Sequence, residues 1–151
     1  MNRKEYESFS QEDTYHLGEK LAALCKPGAI VLLNGDLGVG KTVFTKGFGK
    51  GLGIEEPIVS PTFTIVQIYE NGRLPLYHFD VYRIADPSEM DEIGYEDYFY
   101  GQGVCLIERA VLIEDILPPD CISVTICKDL EKGFDYRKIV EEGLKEEIVK
   151  V

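Results

Sequence analysis

Apolar residues fall along the chain in two rhythms. Leu17, Leu21 and Leu24 recur at helical spacing behind Ser10-Gln11-Glu12-Asp13, which has capping-box form, and Pro27-Gly28 stops the run. A first helix is predicted there. Ala29-Ile30-Val31-Leu32-Leu33 is then unbroken apolar sequence between Pro27-Gly28 and Asn34-Gly35, the pattern of a strand buried on both faces. Phe44, Phe48 and Leu52 return to one helical stripe, with Gly53 suited to its C-cap. Residues 62–70 and 74–82 are rich in β-branched and aromatic side chains, and Asn71-Gly72 between them signals a hairpin. Asp86-Pro87-Ser88-Glu89 predicts a short helix with Asp86 as cap and Pro87 at the first position. Val104-Cys105-Leu106-Ile107 reads as a second buried strand. Residues 121–127 and 136–140 read as two late strands joined through Lys132-Gly133, before an acidic C-terminal segment compatible with helix. The expected fold is a three-layer α/β arrangement around a mixed parallel and antiparallel sheet. No repeat, low-complexity stretch or linker interrupts residues 1–151, so one domain is expected, large enough to bury its own core.

Between the first buried strand and the second helix lies Gly35-Asp36-Leu37-Gly38-Val39-Gly40-Lys41-Thr42, which matches G-x-x-x-x-G-K-[ST], the phosphate-binding loop of nucleotidases. The chemistry requires these residue types. Glycines let backbone N–H groups turn inward onto phosphate oxygens, Lys41 supplies a point charge, and Thr42 offers a hydroxyl to Mg²⁺. The positive end of the following helix dipole adds to the same spot. The expected nucleotide contacts are Gly38, Val39, Gly40, Lys41, Thr42 and Val43. Asp36 holds the loop's shape or touches metal, and the sequence leaves both open.

Hydrolysis needs more than a phosphate cradle; it needs a carboxylate to organise metal and a group to position water. Glu108 ends the apolar run from Val104, where an acid at a strand's C-terminal end faces the ligand crevice of an α/β sheet. Asp80 closes Leu76-Tyr77-His78-Phe79-Asp80, and alternation puts His78 and Asp80 on one face with Tyr77 and Phe79 on the other. Lys41, Asp80 and Glu108 are therefore the catalytic candidates, and Thr42 and Glu108 the metal candidates. An ordinary ion pair with Arg83 or a backbone amide is the competing use of Asp80. His78 reads as a packed or hydrogen-bonded histidine rather than a catalyst. Val59-Ser60-Pro61-Thr62-Phe63-Thr64 occupies the place of a switch loop responsive to the terminal phosphate, with Thr62 as its sensor candidate.

Charge narrows the partners. With 27 acidic against 16 basic residues the net charge is −11, and only five residues are arginine, so the surface repels a phosphate backbone. Any RNA connected with this protein is expected to be held by something else. The four cysteines, Cys25, Cys105, Cys121 and Cys127, have no C-x-x-C spacing, which suits a reduced, cytoplasmic protein. No apolar run approaches the length of a membrane span.

Together, the phosphate loop, Ser60-Pro61-Thr62-Phe63-Thr64, Tyr77-His78-Phe79-Asp80-Val81-Tyr82-Arg83 and Val104-Cys105-Leu106-Ile107-Glu108 resemble the TsaE (YjeE) family in matching order from about residue 10 to 127. Asp86-Pro87-Ser88-Glu89 and Leu117-Pro118 fit as well. The resemblance implies a weak Mg²⁺-dependent ATPase of bacterial tRNA threonylcarbamoyladenosine synthesis. Such a protein acts on the TsaD–TsaB pair, resets it between cycles, and meets tRNA only through that complex. Carried over by position, Lys41 and Thr42 hold phosphates and metal, Glu108 holds metal, and Asp80 supports hydrolysis. The adenine contacts of the family lie near the start of the first helix, around residues 10–14. Two positions depart from the family. Arg109 stands where Trp usually follows the strand-end Glu, which suggests a substitute cation near phosphate. Gly133-Phe134 replaces a frequent Gly-Arg pair, leaving Arg137 as the nearest guanidinium. A small-molecule kinase, a GTPase-like switch and a nucleotide-binding module without turnover are the rivals. The first lacks an Arg-rich lid segment here and the second lacks a guanine signature.

Overall fold

The computed structural model describes residues 3–36, 38–59, 61, 65–82, 84–145 and 148. Thr62, the switch-like candidate, lies outside the described residues, as do Leu37, Ser60, Phe63, Thr64 and Arg83. Among the described residues seven strands form one sheet: β1 Arg3–Ser8, β2 Ile30–Asn34, β3 Val66–Tyr69, β4 Leu76–Asp80, β5 Val104–Glu108, β6 Ile122–Lys128 and β7 Arg137–Glu142. Their spatial order is β1-β7-β6-β2-β5-β4-β3. The pairs β4–β5, β5–β2 and β2–β6 are parallel, and the outer pairs β1–β7, β7–β6 and β3–β4 are antiparallel. The expected mixed α/β sheet is therefore present.

Pattern explains the division. The central strands carry continuous apolar runs, and Val104, Cys105, Leu106 and Ile107 of β5 are all buried, as helices over both faces require. The helices α1 Gln11–Leu24 and α2 Lys41–Gly51 cover one face, over Val31, Leu33, Val104 and Leu106. Short helices α3 Glu89–Glu92 and α4 Tyr95–Phe99, with a kinked 3₁₀ segment Ala110–Ile116, cover the other, over Phe79, Cys105 and Ile107.

Helix starts follow their caps. The Ser10 side chain accepts from Asp13 N at 3.1 Å, while Asp13 reaches back to Phe9 N at 2.9 Å. Regular α3 begins at Glu89, later than Pro87, yet the capping logic holds one turn earlier. Asp86 Oδ1 accepts from Ser88 N, and Glu89 Oε2 accepts from Asp86 N and Ala85 N. The hairpin strands are shorter than the sequence runs, and a 3₁₀ turn at Leu130–Lys132 breaks the link between β6 and β7. Residues 143–145 and 148 are not helical, contrary to the reading of an acidic terminal helix; Leu144 and Ile148 turn into the core instead.

The two long helices meet backbone to backbone. A Cβ on Gly47 would stand 1.9 Å from Tyr15 O, and one on Gly18 2.3 Å from Phe44 O, so only glycine permits this approach. That contact fixes α2 against α1.

Candidate functional site

The loop from β2 to α2 leaves the C-terminal end of the central strand. After β2 the chain builds β3, β4 and β5 on one side and then crosses to β6 on the other, a switch point where open α/β sheets form a ligand crevice. Gly38 and Gly40 have φ of +81° and +110°, so the loop curls in a way few other residues tolerate. Val39 N donates to Asp36 O at 3.3 Å, a main-chain use of exposed Asp36 that closes the turn. The first turn of α2 carries no acid, and its N–H groups face the crevice with the positive end of the helix dipole.

Alternation along β4 and β5 delivers the carboxylates. Leu76, His78 and Asp80 share a face with Val104, Leu106 and Glu108, and Asp80 is the register partner of Glu108. Glu108 lies in register with Leu33 on its other side, one residue from the end of β2. Its Oε1 stands 3.9 Å from Lys41 Nζ, and its Oε2 2.8 Å from His78 Nε2. Burial pushes the Glu108 carboxyl up, but the hydrogen bond and electrostatic attraction of His78 and the charges of Lys41 and Arg109 outweigh it. The group sits below its ordinary carboxylate value. His78 is 2% exposed, and its Nδ1 has no hydrogen-bond partner among the described residues.

Asp80 has different company. Arg109 Nη1 donates to both of its carboxylate oxygens at 3.2 Å, and Tyr82 N donates to Oδ1 at 3.1 Å. The Arg109 guanidinium also lies 5.3 Å from the Tyr82 ring centroid, within cation–π range. Arg109 is thus engaged by Asp80 and Tyr82, and its charge also reaches Glu108.

A cleft of about 230 Å³ opens on the other side of the loop. It is lined by Gly38, Val39, Gly40 and Val43, by Ser10, Gln11 and Thr14 at the start of α1, and by Lys128, Phe134 and Arg137. Arg137 Nε donates to Val39 O at 2.7 Å and its Nη1 to Phe134 O and Tyr136 O, tying the loop to the start of β7. In the sequence Arg137 reads only as the nearest guanidinium and Lys128 carries no signal, because both come from late strands and no local motif points back to residue 39. Thr42 stands exposed on the first turn of α2.

The structure thus brings Lys41, Glu108 and His78 together, sets Asp80 beside them, and puts residues 38–43 between this cluster and the cleft. For a Mg²⁺ ion the donor chemistry fits: a deprotonated carboxylate and a hydroxyl are hard oxygen ligands, which that ion takes in preference to nitrogen or sulfur.

Residues 8–139 match the family model described as threonylcarbamoyl adenosine biosynthesis protein TsaE. The chain belongs to the TsaE family. A relative from Bacillus subtilis (strain 168), named tRNA threonylcarbamoyladenosine biosynthesis protein TsaE, is 48% identical over 139 residues, covering 92% of this chain and 85% of its own. The protein of the same name from Treponema pallidum (strain Nichols) is 43% identical over 119 residues, covering 79% and 87%. The crystal structure of Bacillus subtilis YdiB superposes with a TM-score of 0.76 at 42% identity, over 93% of this chain and 84% of that one. TsaE membership thus rests on most of the chain, including the phosphate loop and both strand-end acids. Among the described residues of this TsaE chain, no helix is long and apolar enough to cross a membrane.

Proposed function

We propose that this chain binds and slowly hydrolyses ATP with Mg²⁺ in the service of tRNA threonylcarbamoyladenosine synthesis, in the cytoplasm and as a single domain. Its partner is the TsaD–TsaB pair, which it resets between cycles, and tRNA is met only through that pair. The family supports the pathway. One observation carries the chemistry: the Glu108 carboxylate 3.9 Å from Lys41, the first residue of a helix that a glycine-curled loop leads into.

In this reading the backbone N–H groups of residues 38–43 cradle the phosphates, and the Lys41 ammonium exchanges part of its attraction to Glu108 for phosphate oxygens. The Thr42 hydroxyl and Glu108 hold Mg²⁺, which when bound neutralises phosphate charge. Asp80, at the rim, orients the attacking water. The nucleoside extends into the cleft between residues 10–14 and Phe134. The switch segment around Thr62 completes the reading. With a surface of net charge −11, docking on protein rather than on RNA is the simplest mode of action.

The test is ATP turnover by the purified chain, alone and with its cognate TsaD–TsaB pair, beside Lys41→Ala. Stimulation by the pair, and at least a 10-fold loss of turnover in the variant, is expected. Nucleotide binding with no response to the pair would sink the assigned role.

A further inference from the structure

We propose that His78 is a positioning residue for Mg²⁺-nucleotide binding: its imidazole fixes the Glu108 carboxylate so that one oxygen faces Lys41 and the phosphate loop. The inference rests on the reading above and adds a residue to it. A glutamate's terminal torsion is soft and roughly two-fold, so a carboxylate at a strand end does not choose its own orientation. Here Oε2 is taken by His78 Nε2 at 2.8 Å, which leaves Oε1 pointing at Lys41 Nζ, 3.9 Å away. An ionised carboxylate only accepts, so Nε2 is the protonated nitrogen of the pair.

The ring is committed to this single polar contact. It is 2% exposed, between the fully buried Leu76 and Phe79 on its own strand, and its other nitrogen has no partner among the described residues. A buried polar ring bonded on one side only is costly to keep, and a core-filling role would be met at less cost by an apolar side chain. The geometry is that of a hydrogen-bonded group behind a metal ligand, where loss typically weakens metal affinity 10–100-fold.

The experiment is calorimetric titration of ADP, once with excess MgCl₂ and once with EDTA, on the wild type, His78→Leu and His78→Gln. Thermal melts serve as a control for folding. The wild type is expected to gain affinity from Mg²⁺. His78→Leu should lose about 10-fold of that gain while its affinity in EDTA stays within about 2-fold. His78→Gln, whose amide N–H₂ reaches a similar distance, should keep most of it. If His78→Leu fails to fold, His78→Asn takes its place, since its shorter amide stops before Glu108 and should lose the gain that Gln keeps. A full Mg²⁺ gain in the Leu or Asn variant overturns the inference alone, as does an equal loss with and without the metal. A wild type with no Mg²⁺-dependent affinity overturns it together with the reading beneath it.

Discussion

Gly47 and Gly38 stand nine residues apart around the start of α2, and they are glycine for opposite reasons. Gly47 has ordinary helical backbone and no room: a Cβ there would lie 1.9 Å from Tyr15 O and 2.8 Å from Tyr15 C. Gly38 has room and no ordinary backbone: a Cβ would meet nothing within 4 Å, but φ is +81°. The first glycine joins two helices and the second shapes a loop over a crevice. Packing and function therefore use the same residue type through different physics, steric exclusion in one region and dihedral freedom in the other.

The comparison breaks most visibly at Gly47. Gly47→Ala gains about 0.8–1 kcal/mol of helix propensity, yet the obstructing atom is a main-chain oxygen that no rotamer change can move. The helices must separate, and a net loss of about 3 kcal/mol is expected, or about 6–12 °C in Tm for a chain this size. A melt within 2 °C of wild type would show that the helices are not in backbone contact in solution. Tyr15→Ala should not rescue the variant, because the clash is with backbone.

Gly38→Ala should do the reverse. Folding loses about 1 kcal/mol for the strained φ, about 2–4 °C in Tm, while nucleotide affinity falls by about 10-fold or more as the loop's N–H groups turn out of register. Equal ATP affinity in this variant and the wild type would remove the loop from the site. Measured together, the two alanines should separate cleanly. One chiefly lowers the melting temperature, and the other chiefly weakens binding.

How much of this was legible beforehand follows from the range of each interaction. The phosphate loop, the hairpin turn at residues 71–72 and the acids closing β4 and β5 are local patterns, and the sequence carries them openly. Gly47 is different. A glycine inside a helical stripe reads as a weakness, and only the approach of Tyr15 from α1 turns it into a requirement. β1 has no apolar pattern to announce it, because Arg3-Lys4-Glu5-Tyr6-Glu7-Ser8 is mostly charged. It is an edge strand, buried only at Tyr6 and Ser8, and it exists because β7 pairs with it from the far end of the chain. The Arg137 contact to Val39 and the Arg109 contact to Asp80 likewise depend on strand order, which no window of sequence contains. His78 was half legible: alternation put it on the correct face, but its bond to Glu108 needed the register of β4 with β5.

Arg109 tests the comparison at its finest. It sits at φ +59° without being glycine, where a side chain costs about 1–2 kcal/mol of backbone strain. Its partly exposed ion pair with Asp80 and its contact with Tyr82 offset that cost, at about 0.5–1 kcal/mol for the pair. Arg109→Ala keeps the strain and loses the contacts, and should melt about 1–3 °C below wild type. Arg109→Gly loses both and should melt within about 1 °C of it. The difference between the two variants therefore measures the strain, and the difference between wild type and Arg109→Gly measures how far the Asp80 pair repays it. If Arg109→Ala and Arg109→Gly melt together, the left-handed backbone is not retained in solution. Arg109 would then be placed by its ion pair alone, and left-handed backbone around the crevice would belong to glycines such as Gly38, which adopt it without strain.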